Sequence, residues 1–484
     1  MMTLTRSLPA LALGTLLAGA AVAQQPTQPS TPAQPRAVPT QPAMPPSAAA
    51  LNQGPPPRGI TLSEALQLAR RYNPAQVQAE QNIRIGKMGV MEAWGAYLPS
   101  VSGSGSATRN SQQRVNASSG APQVFANTDN STFGLSASIP LFTGFLRGAN
   151  MRAANATRNL NEAALLQQDY ATDLATKQAF FNERESEELV GVAVANLAQS
   201  DQQLRLTTEK LRLGAAVRSD SLTASVAYGT AEVQLIQARA NALTAQADLA
   251  RAIGADGMVA AVADSTLEVR LSSLDTAALR HDAEATAPSV VEAQAAVSAT
   301  QALLSASRSY YYPTLSLGAS QTWAGAQLPW NAAPLTNIVD STGAVIGTVR
   351  SAKYTGTWNV RLTLSVPIFN GFQTQANIVT ADANATEARA KLRDARLALD
   401  ASLVQSFTAL DAAAAQIDVS RTSVASAQES LRMQQERYRL GASTIVDLLT
   451  AETALNQAET SLVQSRYSYL IARATLEALV GHSL

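Results

Sequence analysis

The sequence predicts a mixed α and transmembrane-β protein. Four strands per chain contribute to a trimeric twelve-stranded barrel, and that barrel runs on into very long helices. Three observations predict this class. The chain is an internal duplication, its helical stretches hold a seven-residue apolar period, and its strand-like stretches alternate apolar with polar residues.

The duplication shows first at "SIPLFTGF" (138–145), which returns as "SVPIFNGF" (365–372), an offset of 227 residues. Gly214 and Gly441, and Asp220 and Asp447, share that offset. Upstream, "PSVSGSGSA" (99–107) resembles "PTLSLGASQ" (313–321), and Pro74 matches Pro288, both at offset 214. The change from 214 to 227 means that the second copy carries 13 extra residues between its two strands. The first repeat is placed at 60–254, a linker at 255–274 and the second repeat at 275–481.

Ahead of the repeats, residues 1–23 read as a secretory signal, with Arg6, an apolar run and the small-residue site Ala21, Val22, Ala23. Residues 24–59 form a Pro/Gln/Ser tract with too little apolar surface to order itself, so a disordered tail is expected. Cysteine is absent, which excludes disulfides and a lipid-modified cysteine. Acidic and basic residues balance at 36 each, so no net charge draws nucleic acid.

Each repeat is expected to run helix, strand, loop, strand, very long helix, short break, helix. In the first copy the strands are expected at about 99–109 and 131–142, the helices at 146–213 and 219–253. In the second they are expected at 313–323 and 356–368, then 373–440 and 445–480. Residues 373–440 contain no Gly or Pro, which suits a helix of about 100 Å. Leu403, Leu410, Ile417, Val424, Leu431 and Tyr438 recur every seven residues, as do Leu448, Leu455, Leu462, Tyr469 and Leu476. Val190, Leu197, Leu204 and Leu211 repeat the pattern in the first copy. This period predicts coiled-coil packing. A parallel seam of small residues, Ser406, Ala413, Ser420 and Ala427, leaves room for a second neighbour.

The strands are two-faced. In 358–368, Trp358, Val360, Leu362, Leu364, Val366 and Ile368 alternate with Asn359, Arg361, Thr363 and Ser365. Export, paired hairpins with polar loops at 109–130 and 324–356, and aromatics gathered at the strand ends favour a membrane barrel over a soluble sheet. Those aromatics include Trp94, Tyr97, Tyr310, Tyr311 and Tyr312. Four strands cannot close a barrel, and lipid does not tolerate an open edge, so the chain is expected to oligomerise, three copies giving twelve strands. The repeated "PLFTGF" and "PIFNGF" then mark where strand becomes helix. Pro140 and Pro367 are expected to stop ladder pairing, Gly144 and Gly371 to permit the bend, and Phe145 and Phe372 to anchor the rim in outer-membrane lipid.

With this layout, "TLSEALQLARRYNPAQV" (61–77), "YLPSVSGSGS" (97–106), the paired P-[LI]-F-x-G-F and "RYRLGASTIVDLLTAETAL" (437–455) resemble the TolC-like outer-membrane efflux channels over about residues 60–481. The resemblance implies a homotrimer whose barrel continues into a long periplasmic α-helical barrel with a small equatorial domain. It implies an exit duct for efflux or type I secretion, with no catalysis and no cofactor. It also implies an inner-membrane transporter and a periplasmic adaptor (a membrane fusion protein) as partners. The breaks at 211–220 and 438–447 become the closed periplasmic end. Arg212, Leu213, Gly214, Ala215 and Arg439, Leu440, Gly441, Ala442 are the implied adaptor-docking residues. Asp220, Asp447 and Tyr438 are the implied constriction and gate, where clustered carboxylates would titrate high. A simpler role for both aspartates is a favourable charge at a helix N-terminus. Ser219, and Thr444 or Ser443, are expected to cap the following helices. The sequence departs from the family pattern at Thr450 and Ser443, where a second acid and an arginine are expected.

Other site classes are weak. His281 and His482 have no metal-ligand spacing, and "GADG" (254–257) lacks the Lys-Ser/Thr of a phosphate loop. A periplasmic adaptor or a coiled-coil structural protein of the envelope would also have long hairpins. Neither would embed two strand hairpins.

Overall fold

The computed structural model describes residues 57–114, 124–262, 276–327, 329, 335–339, 341, 343–350 and 354–483. The expected signal and most of the expected tail lie outside these. The expected tail is corrected at its end. Arg58–Ile60 forms a strand, β1, paired in parallel with a second short strand, β4, at Val259–Ala261, with Ile60 opposite Ala261. Both Ile60 and Ala261 are buried, and that burial overrides the disorder expected of the Pro-rich tract. β4 also gives order to the start of the expected linker.

Each repeat begins with two helices where one was expected. The first copy has α1 (Leu62–Tyr72) and α2 (Pro74–Gly95). The Thr61 hydroxyl caps α1 by accepting the Glu64 N–H at 3.3 Å. Asn73 caps α2 by accepting the Ala75 N–H at 2.9 Å. Pro74 takes the first helical position, where its missing N–H costs nothing, and it prevents α1 from continuing. The second copy repeats the break with α5 (Thr276–Thr286) and α6 (Pro288–Arg308).

The membrane-type strands are β2 (Ser100–Arg114), β3 (Val124–Phe142), β5 (Thr314–Gly325) and β8 (Thr355–Ser365). They form one antiparallel sheet in the order β2-β3-β5-β8, so the two hairpins join through β3 and β5. β2 and β3 extend well into the expected loop 109–130. The expected loop 324–356 carries a further hairpin, β6 (Leu335–Val339) with β7 (Val345–Arg350). One face pairs Val101 with Ala137, Ile139 with Leu317, and Leu317 with Leu362; the other pairs Ser102 with Ser136, and Ser320 with Asn359. Much of the apolar face is exposed among the described residues, and Trp358 is 77% exposed.

Two helices of 67 residues, α3 (Leu146–Arg212) and α7 (Gln373–Arg439), run from the sheet, each about 100 Å long. Each turns back into a helix of 36 residues, α4 (Arg218–Ile253) and α8 (Ile445–Val480). Near the sheet the helical layer runs α2-α3-α6-α7; away from it the order is α4-α3-α8-α7. Phe180, Leu249, Leu403, Ile417 and Leu476 lie in one fully buried core along this layer. The leucine seam of α7 is buried at Leu403, Leu410, Ile417 and Leu431. In α3 the buried seven-residue series is Ala193, Ser200 and Thr207, while Val190, Leu197, Leu204 and Leu211 are half-buried. α3 has α4 on one side and α8 on the other, and small residues let neighbours approach closely. The apolar stripe Leu222, Val226, Val233 and Ile236 on α4, at one lateral edge of this layer, is exposed.

Candidate functional site

Both hairpin tips end their long helix in the same way. In the first, the Ala215 N–H donates to the Lys210 carbonyl at 2.7 Å and the Gly214 N–H to the Leu211 carbonyl at 3.0 Å. In the second, Ala442 donates to Arg437 at 2.8 Å and Gly441 to Tyr438 at 3.2 Å. These are Schellman motifs, and they place Gly214 and Gly441 at φ 74° and 75°. Leu213 and Leu440 cap the helices and stand 73% exposed. Arg212 and Arg439 each pair with a glutamate one turn earlier, Glu209 at 3.0 Å and Glu436 at 3.1 Å. Two exposed leucines flanked by basic side chains therefore form the end of the helical layer.

The next helices start differently. Thr444 caps α8 in a capping box: its hydroxyl accepts the Asp447 N–H at 3.2 Å, and the Asp447 carboxylate accepts the Thr444 N–H at 3.0 Å. In the first copy the cap position is Val217, with no side-chain bond. The expected cap at Ser219 is corrected, because Ser219 lies inside α4, whose first residue is Arg218. Asp220 sits in the first turn, half-buried, and its N–H donates to the Val217 carbonyl at 3.1 Å. The Asp447 carboxyl is held below its ordinary value, first by the Thr444 N–H and then by the Thr444 hydroxyl. Within one chain this runs opposite to the elevation expected of clustered carboxylates.

Tyr438 packs against the buried cluster of Leu431, Leu448 and Ala451. The Lys210 ammonium of the other repeat lies 4.1 Å from its ring centroid, a cation–π contact that ties the end of α3 to the end of α7. Sequence reasoning missed Lys210, since nothing in its local pattern marks it.

At the opposite end, the strand-to-helix junction is tighter than a single glycine bend. Gly144 and Phe145 both adopt positive φ, 62° and 67°, as do Gly371 and Phe372 at 65° and 66°. A Phe in the left-handed region is strained, and packed rings hold it there. Phe145 meets Phe142 and Tyr312 edge-to-face at 5.4 and 5.5 Å, and Phe372 meets Phe369 at 5.4 Å. A Cβ on Gly144 would lie 2.5 Å from the Tyr312 Cβ, so only glycine fits. The prolines are not equivalent. β8 ends at Ser365, before Pro367, but Pro140 stays inside β3 opposite Ser316, next to a bulge before Phe142. The expectation that Pro140 stops pairing is corrected, since the bulge accommodates the missing donor.

Among the described residues no helix is long and apolar enough to cross a membrane, and no cluster of metal-ligating side chains occurs. The candidate site comprises the sheet's polar face, the strand-to-helix junctions and the two tips.

A family model described as "Outer membrane efflux protein" matches residues 65–255 and 279–482. The chain is 25% identical to "Outer membrane protein TolC" of Escherichia coli over 323 residues, covering 64% of this chain and 62% of TolC. It is 25% identical to "Outer membrane efflux protein BepC" of Brucella suis over 421 residues, 87% of this chain and 85% of BepC. Among solved structures, the Campylobacter jejuni CmeC outer membrane channel superposes with a TM-score of 0.70 at 18% identity, covering 87% of this chain and 85% of CmeC. That last likeness concerns the fold.

Proposed function

The chain belongs to the outer membrane efflux protein family, and from that membership we propose that it is an outer-membrane exit duct built from three copies. The observation that carries the proposal is one sheet with a largely exposed apolar face and two free edges, β2 and β8, fused to helices about 100 Å long. Lipid rejects both free edges, and three four-stranded sheets joined β8 to β2 remove them all. The exposed stripe on α4 and exposed Leu397, Val404 and Val419 on α7 lie on the two lateral edges of the layer that the same closure buries.

In this duct the polar face lines the bore and the helices extend it through the periplasm. Residues 1–23 direct export, and 60–254 and 275–481 act as the two repeats. An inner-membrane transporter supplies cargo through a periplasmic adaptor. The adaptor docks on Arg212, Leu213, Gly214 and Ala215 and on Arg439, Leu440, Gly441 and Ala442, where the exposed leucines offer an apolar anchor. Asp220, Asp447 and Tyr438 narrow the periplasmic mouth, where three copies of each aspartate attract cations. Phe145, Phe372 and their neighbours sit in the lipid interface. The matched relatives bear the names of membrane efflux and channel proteins, and no catalytic step is assigned to this chain.

Purified protein in detergent should run as a heat-sensitive trimer and conduct ions in planar bilayers, with Asp447→Lys lowering the cation preference. A water-soluble monomer that needs no detergent would overturn the duct. Conductance with unchanged selectivity in Asp447→Lys would remove only the gate assignment.

A further inference from the structure

At Arg361 the sheet's polar face carries a charge that no acid on the strands balances. Across β2, β3, β5 and β8 the sole acidic residue is Asp129. Arg109 holds it in a two-pronged pair at 2.7 and 2.9 Å, and strand alternation puts both on the apolar side. Arg361 lies on the polar side of β8, exposed, with no ion pair or hydrogen bond among the described residues. Its cross-strand partner is Gly318, where a side chain would otherwise stand, and the nearest atoms to a Cβ there are 4.0 Å away. The guanidinium therefore has free space over the sheet.

Around it are hydroxyls. The row through Arg361 and Gly318 continues to Ser138 and Ser100, whose hydroxyls are 2.9 Å apart. In the next row Ser136 and Ser102 meet at 2.8 Å. Arg361, Asn359, Ser320, Ser138 and Ser136 line one groove of about 340 Å³. Closing the barrel does not neutralise the charge. The β8 edge must meet a second copy's β2 edge, whose polar face offers Ser100, Ser102, Ser104, Ser106 and Thr108, and no acid.

We propose that Arg361, repeated around the bore, forms an oxyanion-binding ring in the outer-membrane part of the duct. Its ligands are carboxylate-, phosphate- or sulfate-bearing solutes and cargo. A guanidinium presents paired donors that match two oxygens of such a group, and the neighbouring serines supply further hydrogen bonds. The ring rests on the exit-duct reading and gives the duct opposite biases at its two ends, with carboxylates at the periplasmic mouth and guanidiniums in the barrel. Anionic groups are held as they approach the outside.

The test uses full-length trimer in planar bilayers under a KCl gradient, with inorganic pyrophosphate added from the extracellular side as the probe. Arg361→Gln should shift the anion-to-cation permeability ratio toward cations by about threefold and weaken pyrophosphate block. Arg361→Lys should keep the permeability ratio but weaken the block, since an ammonium cannot hold two oxygens in a fork. Unchanged reversal potential and unchanged block in Arg361→Gln, with the trimer intact, would overturn the ring alone. A wild-type protein that never conducts would overturn the duct, and the ring with it.

Discussion

Alanine at Gly371 should be far more damaging than one chain suggests, and the size of the effect tests how three copies close. In the first repeat, Gly144 has φ 62°, and a Cβ there would lie 2.5 Å from the Tyr312 Cβ and 2.9 Å from the Ser309 carbonyl oxygen. Left-handed backbone costs a non-glycine residue about 1–2 kcal/mol, and forcing an atom into packed surroundings adds about 1–3 kcal/mol. Gly144→Ala should therefore cost about 2–5 kcal/mol per chain. Gly371 has φ 65° but nothing within 4 Å of its Cβ position in the single chain. The repeat changes that expectation. At the 214 offset, Tyr312 and Ser309 correspond to Leu98 and Gly95. If the seam between subunits copies the seam between repeats, Gly371 meets Leu98 and Gly95 of the next copy. The clashing atoms are a Cβ and a backbone carbonyl, so the side-chain differences do not relieve them. Gly214, at φ 74° with nothing nearby, supplies the strain-only control of about 1–2 kcal/mol. The assay is the melting of the trimer band on unheated gels as temperature rises. Gly371→Ala should fall with Gly144→Ala. If it falls with Gly214→Ala instead, closure does not follow the internal repeat.

Three further outcomes are expected. Thr444→Ala removes the only side-chain cap at the tips and should cost about 1 kcal/mol, read as faster amide exchange in the first turn of α8, while Ser219→Ala should stay within about 0.5 kcal/mol. Burial raises the Glu183 carboxyl, outweighing the Ala261 N–H, the Arg184 charge and the Gln246 side chain that lower it. Its stabilising contribution is thus full below the ordinary carboxylate range and is lost as pH rises through the raised folded value. Glu183→Gln should gain thermal stability relative to wild type between that range and neutrality, and a constant difference across pH would refute it. Phe180→Ala empties a fully buried site next to Phe181 and should cost about 3–5 kcal/mol, measured by thermal melting of the helical signal.

Where the sequence was legible, a periodic signal ran over many residues. The heptads of α7 and the alternation of β8 are long enough for pattern to outweigh local chance, and the repeat offset located both tips. Short or long-range features stayed hidden. β1 is three residues long, and its partner Val259–Ala261 lies about 200 positions away. Pro74 and Pro288 were visible as matched positions, yet that each opens a second helix was not, since only Pro74 follows a capping side chain, Asn73, while Pro288 follows Ala287 with none. Phe145 and Phe372 gave no sign of positive φ, because a nearby Phe142 or Phe369 does not by itself fix the backbone, and the Tyr312 ring on Phe145 comes from the other repeat. The cap at Ser219 failed because Val217, two residues earlier, already has the extended backbone that starts α4.

The duplication also sets where the duct's periplasmic end is weakest. Each chain supplies two hairpins, so six tips surround the axis of the proposed trimer, and seams within chains alternate with seams between them. Within a chain, Lys210 of the first repeat lies over the Tyr438 ring of the second. Carried to the seam between chains by the 227 offset, Lys210 becomes Arg437 and Tyr438 becomes Leu211. A guanidinium over a leucine has no ring quadrupole to meet, so the cation–π tie exists at three seams and is missing at three. The capping box alternates too, present at Thr444 and absent at Val217. Two hairpins that look alike in the repeat thus differ in how firmly each is held. On the proposed trimer, seams between subunits are therefore expected to part before seams within them, so a mouth that widens should do so as three paired units rather than six independent ones.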